Sequence, residues 1–233
     1  ESLMASWLKH IHGCQIVQLN WKPSNKWENE VPIKDIENLL KNLKKSYKEI
    51  GTDFLSKKVK SSQLIQQGEI DCLGISLKPG ENNKFYAVDV AFHEGGLNYG
   101  SKEATRTRIL KKYIRTALSL YYYLGTKEAV IVFASPKVLD GHEEIFKQVA
   151  IDVQQKFKDL EFNFEFKLLC NKDFSDNEKR SINLVLASSP SFEPLIKAIT
   201  SSILSEAMIK PSKICALSSA FLKSNCALRT TTS

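Results

Sequence analysis

The chain has 233 residues, with 42% hydrophobic and 25% charged side chains and a formal net charge of +7. This length can bury a substantial core and predicts one domain, alone or with an appendage. The basic excess is compatible with a polyanionic partner such as DNA without requiring one. Five widely spaced cysteines with no CxxC pair argue against a zinc site or a disulfide framework and favour a reducing, cytoplasmic setting. We expect no membrane association, because no apolar run approaches the length of a bilayer span.

The first segment of the chain predicts a helix followed by a strand. Apolar residues at helical spacing place the helix at residues 2–12, with Gly13 as its C-cap. Glu1 stands immediately ahead of this helix, where an acidic side chain interacts favourably with the helix dipole. Residues 14–21 then predict a strand, whose incomplete alternation fits burial on both faces.

Residues 22–67 have the character of an insertion. An irregular connector leads into an amphipathic helix over residues 35–50, whose apolar stripe comprises Ile36, Leu39, Leu40, Leu43, Tyr47 and Ile50. Lysines cover its outer face and the next segment, at positions 41, 44, 45, 48, 57, 58 and 60. By default this face is solvated, and contact with a phosphate backbone is the alternative. Trp21 and Trp27 can stack on exposed bases, but we expect both to pack in the core.

Residues 68–94 predict two strands joined by a tight turn. Glu69 and Asp71 stand two residues apart in the first strand, so alternation points both to one face. The second strand, residues 85–93, is apolar but contains Asp89 between two valines. Burying this charge without a partner is costly. Either Asp89 faces solvent or pairs with an arginine, or it shares a divalent cation with Asp71 and Glu69.

The order of these motifs resembles the core of the PD-(D/E)XK nuclease superfamily, the fold of type II restriction endonucleases and archaeal Holliday-junction resolvases. In its small members a helix that opens with Glu leads to a first strand, then to a Gly-Glu-x-Asp strand and a hydrophobic strand bearing an acidic residue. The corresponding segments are ESLMASWLKHIHG, CQIVQLNW, GEIDCLGI and FYAVDVAF. The resemblance covers roughly residues 1–124 and implies an α/β fold, with a restriction-endonuclease-like central mixed β-sheet flanked by helices.

The resemblance also implies a chemistry. The protein would be an Mg²⁺-dependent endonuclease that hydrolyses DNA phosphodiester bonds, with Mn²⁺ able to substitute, in a type II restriction or phage-defence role. Asp71 and Asp89 would hold the ion, Glu69 would be a further ligand or a base, and Glu1 would lie in the second shell of the metal. A homodimer and a defence-system partner protein are expectations of the same origin.

One position departs from the superfamily pattern. Where a lysine is expected two residues after the second acid, this chain has Ala91. Either His93, on the same predicted strand face as Asp89, takes its place, or a cation reaches in from the following helix, where Lys102, Lys111 and Lys112 are available. If neither does, the site is inactive. The protein would then be a non-catalytic nucleic-acid-binding or assembly subunit, and an enzyme of unrelated chemistry is a third hypothesis.

A glycine-rich loop and a long helix follow the acidic strands. The helix is predicted over residues 102–124, with a buried stripe of Leu110, Ile114, Ala117, Leu118 and Tyr121. Cations at i, i+3, i+4 and i+7 form another stripe, comprising Arg108, Lys111, Lys112 and Arg115. With Lys102, this stripe is the predicted nucleic-acid contact, and a solvated basic face is the alternative.

The remainder of the chain predicts further alternation of strands and helices. A strand is expected at residues 128–134, a helix at 142–157 and a strand at 162–169, which is typical of an α/β domain. We also predict a last strand at residues 182–187 and a final helix at 191–208. Residues 1–210 would form a single nuclease domain, and residues 211–233 a loosely held tail.

Overall fold

A computed structural model of the chain describes residues 1–24, 26–49, 54, 61–66 and 68–187. The helices in this part of the chain are α1 (Ser2–His10), α2 (Ile33–Glu49), α3 (Ser61–Gln66), α4 (Lys102–Leu124), α5 (Glu143–Lys158) and α6 (Asn171–Ala187). The strands are β1 (Ile16–Trp21), β2 (Ile70–Ser76), β3 (Lys84–Val90), β4 (Glu128–Ser135) and β5 (Asn163–Cys170). None of these helices combines the length and the apolar character needed to cross a bilayer.

The five strands form one mixed sheet in the order β1-β2-β3-β4-β5. The pairs β1–β2 and β2–β3 are antiparallel, whereas the pairs β3–β4 and β4–β5 are parallel. Parallel neighbours require a crossover, and α4 and α5 provide the two crossovers. The expectation of a central mixed β-sheet flanked by helices is therefore confirmed.

Each face of the sheet packs against its own set of helices. One face, which we call the α4 face, shares a core with α2, α3, α4 and α5. The opposite face, which we call the α1 face, packs against α1 and the first turn of α6 through residues such as Leu8, Val88 and Phe174. Because successive residues of a strand point to opposite faces, β3 presents Ala87 and Asp89 to α4 and Tyr86 and Val88 to α1.

The long helix α4 has the bounds that the sequence predicts. The Ser101 side chain accepts a hydrogen bond from the Ala104 N–H at its start, which satisfies one of the free backbone donors of the first turn. At its end Gly125 takes a left-handed φ of +63° and closes the helix. Four residues of the predicted stripe are buried and Tyr121 is half-buried.

Three local predictions are wrong. The helix α1 ends at His10 with Ile11 as its C-cap, so Gly13, with φ of +61°, turns the chain rather than capping the helix. Residues 182–187 are not a strand but the end of α6, since a short apolar run fits helical spacing equally well and α6 continues through it. Trp27, expected in the core, is 46% exposed, whereas Trp21 is buried.

The buried stripe of α2 is confirmed for Ile36, Leu39, Leu40, Leu43 and Tyr47. Its sixth predicted member, Ile50, and the lysines at 57, 58 and 60 lie outside the described residues. The same holds for the predicted helix at 191–208, the domain boundary at 210 and the tail at 211–233.

Candidate functional site

Two of the predicted acidic residues meet on the α4 face. The last recorded pair of the β2–β3 ladder joins Cys72 to Val88, and continuing this register by one residue places Asp71 opposite Asp89. Residues directly opposite each other in an antiparallel pair share one face of the sheet. The Asp71 carboxylate also accepts a hydrogen bond from the Val90 N–H at 2.6 Å. The two carboxyl groups are therefore neighbours, as the sequence predicted.

The Asp89 carboxylate is buried and surrounded by side chains of α4. The residue is 3% exposed. The Thr116 hydroxyl donates to its Oδ2 at 2.8 Å, and the Lys112 ammonium donates to its Oδ1 at 3.4 Å. A guanidinium nitrogen of Arg115 lies 3.8 Å from the same Oδ1. Of the alternatives for Asp89, exposure to solvent is excluded, and pairing with an arginine is found together with pairing with a lysine.

Helix geometry explains this arrangement. Residues at i, i+3 and i+4 lie on one face of an α-helix, and Lys112, Arg115 and Thr116 have this spacing. Burial raises the pKa of the Asp89 carboxyl, and the neighbouring Asp71 adds to the rise. Lys112, the hydrogen bond from Thr116 and Arg115 oppose it. A charge at this depth is tolerable only because helix α4 supplies cations to it.

The missing lysine of the superfamily pattern has a spatial counterpart. Ala91 is buried, and its N–H is bonded to the Ala134 carbonyl, so this position has no cation to offer. Lys112, one of the three lysines predicted to reach in from the helix, lies at Asp89 instead, with its ammonium also 5.4 Å from the centre of the Phe133 ring. Lys102 is exposed and Lys111 is half-buried, and neither contacts either aspartate among the described residues.

His93 makes no contact with either aspartate among the described residues. Strand β3 ends at Val90, so the alternation that put His93 on the face of Asp89 no longer applies three residues later. Its ring instead packs edge-on against Tyr99 at 4.8 Å, and the Arg108 guanidinium lies over the same tyrosine at 5.1 Å. The prediction that His93 replaces the lysine therefore finds no support in the contacts of the described residues.

Glu69 lies outside the cluster too. It precedes the first residue of β2, and its carboxylate forms a surface ion pair with Lys22 at 3.1 Å. Across the described ranges, no three His, Cys, Asp or Glu side chains come close enough together to hold a metal ion. The structure thus brings Asp71 and Asp89 together, whereas Glu69 pairs with Lys22 at the surface.

Glu1 begins α1 on the other side of the sheet. Its carbonyl oxygen accepts a hydrogen bond from the Cys72 thiol at 3.4 Å, and Cys72 belongs to the α1 face. The exposed Glu1 side chain is the N-cap residue of α1 but makes no capping hydrogen bond. Glu1 therefore contacts Cys72, the residue of β2 that directly follows Asp71, and it does so on the face opposite to the Asp71 side chain.

Comparison with known proteins adds no relative to this description. No family model, curated protein or solved structure matches the chain. The residues of the site have to be interpreted from their own geometry.

The predicted cationic stripe of α4 divides into two parts. Lys112 and Arg115 turn inward to Asp89, with side chains only 20% and 23% exposed, whereas Arg108 covers Tyr99 in the loop before the helix. Sequence reasoning missed Thr116, because a neutral hydroxyl inside an amphipathic helix carries no signal of its own. Its place at i+4 from Lys112 would have indicated it once Lys112 was assigned to Asp89.

The donor set fits a hard divalent cation. Mg²⁺ in proteins usually takes one or two carboxylates and completes its shell with water and substrate phosphate. Asp71 uses only its Oδ2 among the described contacts, which leaves Oδ1 available. Each carboxylate oxygen has two acceptor sites. Asp89 Oδ1 already faces both Lys112 and Arg115, so the remaining acceptor site of Asp89 is on Oδ2, beside Thr116. Asp71 Oδ1 and Asp89 Oδ2 are therefore the candidate oxygens for such an ion.

Proposed function

We propose that the protein is an Mg²⁺-dependent endonuclease that hydrolyses phosphodiester bonds of DNA, on a fold of the restriction-endonuclease-like type. The observation that carries the proposal is the placement of Asp71 and Asp89 side by side on adjacent strands, with Lys112 at hydrogen-bonding distance from Asp89. The order α1, β1, β2, β3, interrupted by α2 and α3, also follows the order of motifs on which the resemblance was based.

In this proposal Asp71 and Asp89 are the metal ligands. When bound, Mg²⁺ would polarise the scissile phosphate and lower the pKa of a coordinated water. Asp71 has the freer carboxylate and is half-exposed, so it offers the first contact from solvent. Asp89 is held in place by Thr116, which fixes the direction in which its second oxygen points.

Lys112 and Arg115 are the phosphate-binding residues in this proposal. Both are long basic side chains that are partly exposed, so each has a route from Asp89 to solvent. Turned from Asp89 towards solvent, these two side chains would donate hydrogen bonds to the oxygens of a phosphodiester. There they would offset the negative charge that develops in the transition state. Lys112 thereby takes the part that the absent lysine at position 91 would have had.

The test is cleavage of supercoiled plasmid DNA by the purified chain with Mg²⁺ or Mn²⁺. We expect nicking that is lost on chelation and reduced by at least about 100-fold in Asp71→Asn and in Asp89→Asn, because each removes a charged ligand. Glu81→Gln, which neutralises an exposed carboxylate in the turn before β3, is the matched control and should cleave normally. Circular dichroism verifies that each variant is folded. If folded Asp71→Asn retains wild-type activity, the proposal is wrong.

One observation favours the alternative, a non-catalytic nucleic-acid-binding or assembly subunit. Asp89 already has three protein partners and position 91 has no lysine, which is what a purely structural buried ion cluster would also look like. The two functions separate in a binding assay run beside the cleavage assay. Tight DNA binding with no product under any divalent cation would favour the subunit.

A further inference from the structure

Four aromatic residues gather where β1, the connector after it and the end of α4 meet. We call this group the aromatic corner; it comprises Trp21, Trp27, Tyr122 and Tyr123. The rings of Trp21, Trp27 and Tyr123 lie 6.0–6.2 Å apart, centre to centre, and Tyr122 lies 4.8 Å from Tyr123. Trp21 and Tyr123 are buried, whereas Trp27 is 46% exposed. Two buried rings thus support one large ring that is open to solvent.

Two cavities adjoin the aromatic corner. They measure about 170 and 270 Å³ and share Gln66 and Tyr123 as lining residues. Each is smaller than the roughly 300–1,000 Å³ of a typical small-molecule pocket. Trp27 lines neither cavity but contacts Tyr123, which lines both. Their lining includes the side-chain amides of Asn29 and Gln66, and Asn29 donates to the Tyr122 hydroxyl at 2.9 Å.

The polar groups in this lining narrow the chemistry of the ligand. Side-chain amides present a donor and an acceptor side by side, which is the pattern that the edge of a nucleobase also presents. An alkyl chain or an apolar peptide side chain would leave these amides without partners in the complex, and this is unfavourable. A flat heterocycle offers both a face that stacks on an aromatic ring and an edge that pairs with such amides.

The positive charges near the aromatic corner and its position favour a base within a nucleic-acid strand over a free base. Lys22 directly follows Trp21 and Lys26 directly precedes Trp27, and both are exposed. The Lys22 ammonium pairs with Glu69, two residues before Asp71. A nucleotide strand that contacts these lysines through its phosphates would therefore pass next to the candidate metal ligands.

We propose that the aromatic corner is a subsite for an unpaired nucleobase. The base stacks on Trp27, its edge is bound by the amides of Asn29 and Gln66, and Lys22 and Lys26 contact the adjoining phosphates. The assignment of the strand to DNA rests on the proposed function, but the stacking does not depend on cleavage. The substrate class that follows is DNA with unpaired bases, such as single strands, bulges or frayed ends, because a paired base cannot enter a pocket of this kind without leaving its stack.

The experiment measures binding by fluorescence anisotropy in EDTA, so that no cleavage takes place. The probes are a labelled 12-nucleotide thymidine strand, an abasic strand of equal length and charge, and a blunt duplex. We expect the wild-type chain to bind the thymidine strand at least about 10-fold more tightly than the abasic strand, since stacking of one base on an aromatic ring typically has this magnitude or more. Trp27→Ala should remove this difference, and Trp27→Phe should retain part of it.

Two controls keep the result specific. Ile151→Ala truncates another exposed apolar residue, 60% exposed on α5, and should leave both affinities unchanged. Thermal melting of Trp27→Ala verifies that the protein is folded. Equal binding of abasic and thymidine strands by the wild-type chain, or an undiminished difference in folded Trp27→Ala, would overturn the subsite. Thymidine monophosphate binding as tightly as the strand would overturn the assignment to a strand.

The two proposals fail in different ways. Absence of plasmid cleavage together with base-dependent binding would remove the nuclease and leave the subsite in place. Cleavage together with base-independent binding would do the opposite.

Discussion

The two faces of the sheet treat neighbouring residues of one strand in opposite ways. Val88 of β3 is fully buried against the α1 face, in a core of apolar side chains. Asp89, the next residue, is equally inaccessible on the α4 face but is surrounded by Lys112, Arg115 and Thr116. It is the only buried carboxylate among the described residues. The same backbone therefore accommodates a charge only where a helix brings compensating charges to it.

The two faces also differ in how much they contribute to stability. A well-packed apolar cluster in place of a buried ion cluster is often as stable or more stable, so the α4 face gives up stability that the α1 face keeps. Packing alone does not require a carboxylate at the position of Asp89. A chemical role for the carboxylate explains its presence beside Asp71 more readily than packing does. Substitutions on each face test this difference.

The largest effect is expected from removing both cations that face Asp89. The double variant Lys112→Met with Arg115→Met should lower the free energy of unfolding by about 3–5 kcal/mol, because it leaves a buried charge without a cationic partner. Urea unfolding at pH 7 measures the change. The matched variant Arg108→Met with Lys111→Met removes two cations of the same helix that do not contact Asp89, and should change stability by less than about 1 kcal/mol. Equal losses in the two double variants would contradict the account.

A smaller loss of stability should follow from removing the Thr116 hydroxyl, which donates to Asp89. Thr116→Val keeps the shape of the side chain but deprives Asp89 Oδ2 of its donor, and should cost about 1.5–3 kcal/mol, as for hydrogen bonds to charged groups. Thr116→Ser retains the hydroxyl and serves as the control. In a double-mutant cycle with Asp89→Asn, the effect of Thr116→Val should shrink. Independent, additive effects would show that the hydrogen bond does not stabilise the carboxylate.

The α1 face should respond to volume rather than to charge. A Cβ at Gly74 would lie 3.0 Å from the Cys14 sulfur and 3.1 Å from a Leu8 methyl carbon. Gly74→Ala should therefore cost about 1–3 kcal/mol through overpacking. Adding Cys14→Ala makes room, so the second substitution should be less harmful in the Gly74→Ala background than alone. If the two effects simply add, the packing argument for this face fails.

The smallest effect expected from a single group is the stability that each buried thiol loses at alkaline pH. Burial raises the pKa of Cys14 to about 11 and those of Cys72 and Cys170 to about 12. Below the unfolded thiol pKa of about 8.5 both states are protonated; above it only the unfolded chain loses the proton, so stability falls as pH rises. Between pH 8 and pH 10 each thiol should contribute a loss of about 1–2 kcal/mol. Urea unfolding of Cys72→Ala should show a shallower pH dependence than the wild type, and an unchanged slope would contradict this origin.

Strong local signals made much of the fold predictable. Helix α4 has Ser101 and Gly125 at its ends and a continuous apolar stripe between them, so its bounds followed from the sequence. The pairing of Asp71 with Asp89 was predictable because each sits in a short strand next to one tight turn, which leaves little freedom of register.

The predictions that the structure contradicts or does not support lie where the local sequence pattern and the tertiary context favour different arrangements. His93 and Glu69 were assigned by alternation beyond the ends of β3 and β2, where the pleat no longer directs side chains. The apolar run at 182–187 carries no period that separates strand from helix, and the preceding residues of α6 decided it. Trp27 lies outside the core although its type favours burial, since the rings of Trp21 and Tyr123 already occupy the interior of that corner.

The central claim is that Asp71 and Asp89 share one divalent cation, and the most direct measurement is anomalous diffraction from crystals soaked in Mn²⁺. The account predicts a single strong peak within about 2.0–2.6 Å of an oxygen of each carboxylate, with Lys112 and Arg115 turned away from Asp89, and no peak in Asp71→Asn. A saturating soak that leaves no peak there, with Lys112 still bonded to Asp89, would contradict it.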